Sequence, residues 1–166
     1  LPAALNAGFR TARGDYLTWT SADNFCAPLF LEALVAALDA HPAAGIAVGA
    51  FASVDDVGRL LDVRRAPDLT LRHVLAGNPG CASFLSRRSC QDAVGLYATD
   101  LEGAEDWDMW LRLARHFSAV QVPEVLYYYR RNGDSMTARQ APQIETACRQ
   151  ALQRTLDALG GLDLDL

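Results

Sequence analysis

The chain has 166 residues, a formal net charge of −5 and a hydrophobic content of 51%. That length suits one domain burying roughly two-thirds of its unfolded surface, and that balance lies far from disorder. The acidic charge argues against a nucleic-acid partner, which needs a basic footprint; all 15 basic residues other than His are Arg, so Lys-based Schiff-base chemistry is excluded within this chain.

Leu1 to about Arg13 reads as a short helix with Leu5, Phe9 and Ala12 on one face, ended by Gly14. Tyr16-Leu17-Thr18-Trp19-Thr20 is β-rich and predicts a buried strand, which runs into the polar tetrad Ser21-Ala22-Asp23-Asn24. Pro28 opens the next helix, with Leu31, Leu34, Val35 and Leu38 as its apolar stripe, and His41-Pro42 stops it. Gly45 to Phe51 alternates like a strand. Asp55-Asp56-Val57-Gly58 then predicts a turn into an extended piece, Arg59 to Val63.

Leu69 to Ala76 predicts a short helix closed by Gly77-Asn78-Pro79-Gly80, and Ala82 to Ser86 a strand. Ser89 and Asp92 have capping-box spacing for a helix ending at Gly95. A helix is expected from about Ala104 to Phe117, then strands Val120–Val122 and Val125–Arg130 split by Pro123-Glu124. After a polar loop from Arg131 to Thr137, a last helix runs from about Pro142 to Leu159, and the residues after Gly160 read as a disordered tail. Strands alternating with helices indicate an α/β class with a mixed sheet.

Cys26, Cys81, Cys90 and Cys148 form no CxxC pair and have no His at ligand spacing, which predicts buried free thiols in a reducing compartment. The longest apolar run, Ala43 to Val54, is too short to span a bilayer.

Two acidic places carry chemistry. Asp23 stands just past the end of a strand, where open α/β sheets bind ligands, and one Asp there suits a hard cation shared with substrate phosphates. On local sequence alone Asp23 and Asn24 read first as turn residues capping the next helix. Glu105, Asp106 and Asp108 crowd the first turn of a helix together with Trp107 and Trp110. They read either as a dipole-favoured helix start over a core, or as a catalytic base beside a binding wall.

Three ordered segments resemble the family-2 glycosyltransferases. The first is Leu5-Asn6-Ala7-Gly8-Phe9, then Gly14-Asp15-Tyr16-Leu17 through Ser21-Ala22-Asp23-Asn24 to Pro28. The second is Gly103-Ala104-Glu105-Asp106-Trp107-Asp108-Met109-Trp110; the third is Val122-Pro123-Glu124-Val125-Leu126-Tyr127-Tyr128-Tyr129-Arg130, with Ser135 beyond it. The resemblance covers the chain to about Thr137. It implies a GT-A fold, a Rossmann-like mixed sheet flanked by helices, for residues 1 to 160. It also implies an inverting, metal-dependent transfer of sugar from a nucleotide-diphosphate sugar to a hydroxyl of a glycan or lipid-linked acceptor. The implied setting is cell-envelope polysaccharide, glycolipid or glycoprotein assembly, in the cytoplasm or at the inner membrane face.

Carried over residue by residue, the resemblance implies that Asp106 is the general base and Glu105 its support. Asp23 would hold Mg²⁺ or Mn²⁺. Ser21 replaces a carboxylate of the metal motif, and Asn24 stands where a further acid is common. Ser21, Asn24, Arg130 and Arg131 would face the donor diphosphate and nucleotide; Trp107 and Asn78 would lie on the acceptor side, although Trp107 also fits the core. Trp110 fits core spacing. Asn132 stands where many members carry His, and Leu5 replaces an Arg before Asn6.

The family's first strands, which hold the base and ribose, have no counterpart before Leu1. The expectation is a partial domain with exposed apolar edges, completed by an N-terminal segment or by a homo-oligomer partner, and a weak nucleotide-sugar binder alone. Two other classes compete. A non-catalytic scaffold derived from the fold is suggested by Ser21 and Asn132; a phosphohydrolase using Asp23 and Asp106 lacks the further ligands of a two-metal site.

Overall fold

The computed structural model describes residues 1–131 and 141–160. Its elements in chain order are α1 (Pro2–Thr11), β1 (Tyr16–Leu17), β2 (Phe25–Cys26), α2 (Phe30–Ala40), β3 (Ala44–Val54) and β4 (Leu60–Arg64). There follow α3 (Leu71–Ala76), β5 (Phe84–Arg87), α4 (Arg88–Val94), α5 (Glu105–Ala114), β6 (Ser118–Arg130) and α6 (Ala141–Ala158).

The sheet is built on β3, whose every residue is buried. A strand covered on both faces reads as a continuous apolar run, which explains the Ala, Val, Ile and Gly content of residues 44–52. On one side β3 pairs parallel with β6; on the other it pairs antiparallel with β5 along Ile46–Val48 and with β4 along Phe51–Val54. The order is β1-β5-β3-β6-β2, with β4 beside the end of β3. Gly49 has to be small here: a Cβ would stand 2.6 Å from Ser83 Oγ.

Alternation along the strands sends Ile46, Val48 and Phe84 into one core with Trp107, Met109, Trp110 and Leu113, while Ala47 and Leu85 face α2 through Phe30, Leu34 and Leu38. The helices thus occupy both faces. The carboxyl ends of the two parallel strands, β3 and β6, meet the Asp55–Gly58 turn on one side and the Ser21–Asn24 turn on the other. This is the end of an open sheet where ligands are held.

Several sequence expectations are corrected. Strand pairing after Gly14 stops at Leu17; beyond it the Trp19 indole bonds to the Tyr97 hydroxyl and the Thr20 hydroxyl to that of Tyr127. The sequence predicts no strand at Phe25-Cys26, yet these two residues form β2 by pairing with Tyr128 and Tyr127, more than a hundred positions away. Pro123-Glu124 does not split a strand: the β3–β6 register skips from Gly49↔Val122 to Ala50↔Val125, so the proline, which has no N–H to give, sits in a bulge. Ser89 is not a cap. β5 runs directly into α4, whose N-cap is Arg87 with no side-chain cap bond. All four cysteines are free as expected, but Cys26 is exposed.

Apolar edges are present. Leu60, Leu61 and Val63 of β4 are 63%, 52% and 55% exposed, and Val57 before them 74%. No helix among the described residues is long and apolar enough to cross a membrane. The expected tail after Gly160, and Asn132, Asp134 and Ser135 of the expected loop, lie outside the described residues.

Candidate active site

The acidic cluster divides three ways. Asp108 turns inward: it is 5% exposed, and its Oδ2 accepts from Arg112 at 2.7 and 3.0 Å in an i,i+4 pair. Glu105 is 3% exposed and folds back over the preceding turn, its Oε2 accepting the Gly103 N–H at 2.5 Å. Asp106 alone is half-buried. Its Oδ1 accepts the Trp107 N–H at 2.7 Å, and both oxygens lie 3.3 Å from the Asn78 amide nitrogen.

Asn78 is aimed by its own turn, since its Oδ1 accepts the Gly80 N–H at 3.0 Å. The structure therefore brings Asn78 and Asp106 together across 28 positions of sequence. Loss of water raises the Asp106 pKa, opposed by the bonds from Asn78 and from backbone N–H groups. Glu105 is also raised, by burial first, with the Gly103 and its own N–H opposing and the charge of Asp106 adding to the rise. The helix N-terminus favours the ionised forms of both.

Trp107 is 7% exposed, and its indole donates to the Val74 carbonyl at 2.8 Å, tying α3 to α5. Trp110 lies in the core as expected, edge-on to Phe84 with centroids 4.9 Å apart.

Tyr97, which the sequence did not single out, connects this cluster to the Asp23 segment. It is 3% exposed, its backbone is clamped by the Asn6 side chain through two 2.9 Å bonds, and its hydroxyl accepts the Trp19 indole at 2.9 Å. Burial chiefly makes that hydroxyl a weaker acid, and the charge of Asp106 contributes in the same direction. No local pattern marks Tyr97 or Asn6, because their partners are remote in sequence. Asn6 thus ties α1 to the segment before α5 from within the fold.

Past Trp19 the chain turns at Ser21–Asn24, with the Asn24 N–H 3.2 Å from the Ser21 carbonyl. The Asp23 side chain is exposed. Asn24 Oδ1 accepts the Arg130 N–H at 2.9 Å. The Arg130 guanidinium donates to the carbonyls of Asp23, Asp55 and Asp56 at 3.1, 3.1 and 2.6 Å. Arg131 Nη2 reaches Asp62 Oδ2 at 2.7 Å in an exposed pair. A hollow of about 390 Å³ lies beside this turn, lined by Thr18, Trp19, Thr20, Cys26 and Phe30. A larger one, about 850 Å³, opens at the other end of the sheet near His41, His116 and Ser118, remote from these residues.

Residues 1–93 match the model of the family described as Glycosyl transferase family 2. The chain belongs to that family. The match includes Asp23 and Asn78 and stops short of Asp106 and Arg130. Over 163 residues the chain is 31% identical to the uncharacterized protein y4gI of Sinorhizobium fredii, covering 92% of this chain and 17% of that one. Among solved structures it superposes on S. aureus TarS 1–349 in complex with UDP-GlcNAc with a TM-score of 0.66 at 18% identity, over 97% of this chain and 46% of that one. The structure of S. aureus TarS 1–349 gives a TM-score of 0.58 at 15% identity, over 99% of this chain and 55% of that one. The chain thus spans a small part of the curated relative and about half of TarS 1–349. At these identities the structures establish the fold: a mixed sheet flanked by helices, matching the GT-A enzyme TarS over part of its length.

Proposed function

We propose that this chain carries the base-bearing and cation-bearing part of an inverting family-2 glycosyltransferase acting on a nucleotide-diphosphate sugar. The observation that carries the reading is Asp106: a half-buried carboxylate at a helix start, oriented through both oxygens by Asn78. In a single displacement the acceptor oxygen attacks the anomeric carbon, its proton passes to Asp106, and the bond to the diphosphate oxygen breaks. Glu105 braces the turn that carries the base. Asn78 aims the carboxylate on the acceptor side, and Trp107 fixes α5 beneath it.

Among the described residues no three His, Cys, Asp or Glu side chains gather around a common point. One exposed carboxylate, Asp23, with Ser21 two residues before it, suits a hard cation held jointly with phosphate oxygens and water. Asp23 and Ser21 would hold Mg²⁺ or Mn²⁺, which would offset the charge of the departing diphosphate. Arg131 is the cation most easily recruited to that diphosphate, since an exposed pair such as its contact with Asp62 is worth about 1 kcal/mol or less. Asn24 shapes the turn beside them. A UDP-sugar donor is supported by the fold shared with TarS, solved with UDP-GlcNAc, and a glycan or lipid-linked acceptor by the family alone.

The test is sugar transfer by the intact protein with Asp106→Asn. Loss of about a hundredfold or more in kcat with unchanged circular dichroism is expected for a missing base; undiminished transfer would overturn the assignment. A second reading, a scaffold without catalysis, draws on Ser21 replacing an acid, and undiminished biological activity of the same variant would favour it.

A further inference from the structure

We propose that Arg130 is a positioning residue that hangs the Asp23 turn on the β3–β4 hairpin, instead of a direct ligand of the donor. The proposal rests on reading that turn as the cation and diphosphate site. Arg130 ends β6, and its guanidinium bridges two separate turns: Nε–H donates to the Asp23 carbonyl, and Nη1 to those of Asp55 and Asp56. Its own N–H is taken by the Asn24 side chain at 2.9 Å. One residue therefore makes four bonds, and all of them join the sheet end to loop segments.

The two turns differ in how far they support themselves. In the hairpin, Gly58 N–H reaches the Asp55 carbonyl at 3.0 Å, the Val57 and Arg59 N–H groups reach Asp55 Oδ1 at 3.0 and 2.8 Å, and Asp55 N–H returns to the Arg59 carbonyl at 2.9 Å. Gly58 takes φ +86°, the left-handed conformation this turn requires. The Ser21–Asn24 turn has one internal backbone bond, at 3.2 Å. The hairpin thus closes on itself, and Arg130 joins the Asp23 turn to it. A planar fork with several fixed N–H directions can span both, whereas the single ammonium of Lys cannot reproduce the pattern.

The experiment compares Arg130→Lys and Arg130→Gln with the unaltered protein by amide hydrogen exchange and by Mn²⁺ binding in the presence of UDP. Both variants are expected to speed exchange at the Asn24 amide while Gly58 stays protected. Both should weaken Mn²⁺ binding by about 10–100-fold, as loss of an outer support of a metal ligand does. If Lys leaves the Asn24 amide as protected as before and holds Mn²⁺ with UDP within about twofold, the charge alone matters and the clasp is wrong. Asp23→Asn separates the two readings. Undiminished Mn²⁺ binding by that variant removes the cation site and with it the expected effect of Arg130 on Mn²⁺, while the exchange data still decide whether Arg130 holds the turn.

Discussion

Asn78 places its amide nitrogen 3.3 Å from each carboxylate oxygen of Asp106. A residue in a glycine-rich loop thereby sets both the direction and the proton affinity of a carboxylate at the start of α5. The bond favours the ionised form and opposes the larger effect of burial.

A pH dependence follows with a definite sign. The folded Asp106 pKa lies above the ordinary carboxylate value, so its contribution to stability is fully present below the unfolded pKa and is lost as pH rises through the folded one. Asp106→Asn has no such loss. It should be the more stable protein at neutral pH, with the gap closing as the medium is acidified below the carboxylate range. For activity, Asn78→Ala removes the largest of the effects opposing burial, so the acid limb of kcat/KM should move to higher pH. Urea melts at several pH values check the first statement and a pH–rate profile the second; a limb that stays in place or moves down would exclude Asn78 from that role.

Arg112→Ala should cost about 3–5 kcal/mol, because it strands the buried Asp108 carboxylate. It also removes two bonds from the guanidinium to the carbonyls of Val94 and Leu96, at 2.6 and 3.0 Å. Those residues lead into Tyr97, so the variant should also loosen the Trp19 contact. Chemical denaturation gives the first quantity, and tryptophan fluorescence reports the second. A cost near zero would mean that water reaches Asp108.

Gly103→Ala meets two obstacles at once. Gly103 has φ +88°, and a Cβ there would stand 2.5 Å from Ile144 Cγ1 of α6. Overpacking of this kind costs about 1–3 kcal/mol, added to the strain of the backbone. Thermal unfolding should fall accordingly, and exchange protection in α6 should drop before that in β3. Equal protection in both would show that α6 does not lean on this turn.

Where local pattern decided the structure, the sequence was legible. Leu34 and Leu38 at helical spacing, the apolar run that makes up most of β3, and Asp55–Gly58 as a turn are read from neighbours alone. What escaped depended on remote partners. β2 exists because Tyr127 and Tyr128 are there to pair with, and beyond Leu17 the side chains of Trp19 and Thr20 bond to Tyr97 and Tyr127, both remote in sequence. The site behaves the same way. Asp106 is marked by its position at a helix start and Asp23 by the polar tetrad it stands in. Asn78 as the partner of Asp106, and the carbonyls that occupy Arg130, appear only once the chain is folded.

The bulge in β6 has a consequence for length. Two steps along β3, from Gly49 to Phe51, face five steps along β6, from Val122 to Tyr127, so β6 carries three surplus residues. Pairing resumes at Phe51↔Tyr127 and holds to Val54↔Arg130, so the surplus is confined to the bulge and the residues beyond it keep the sides set by their partners on β3. One residue more or fewer between Pro123 and Leu126 would change the size of the bulge and leave Arg130 beside Val54. Homologous chains should therefore vary in length in this stretch while the far end of β6 keeps its register.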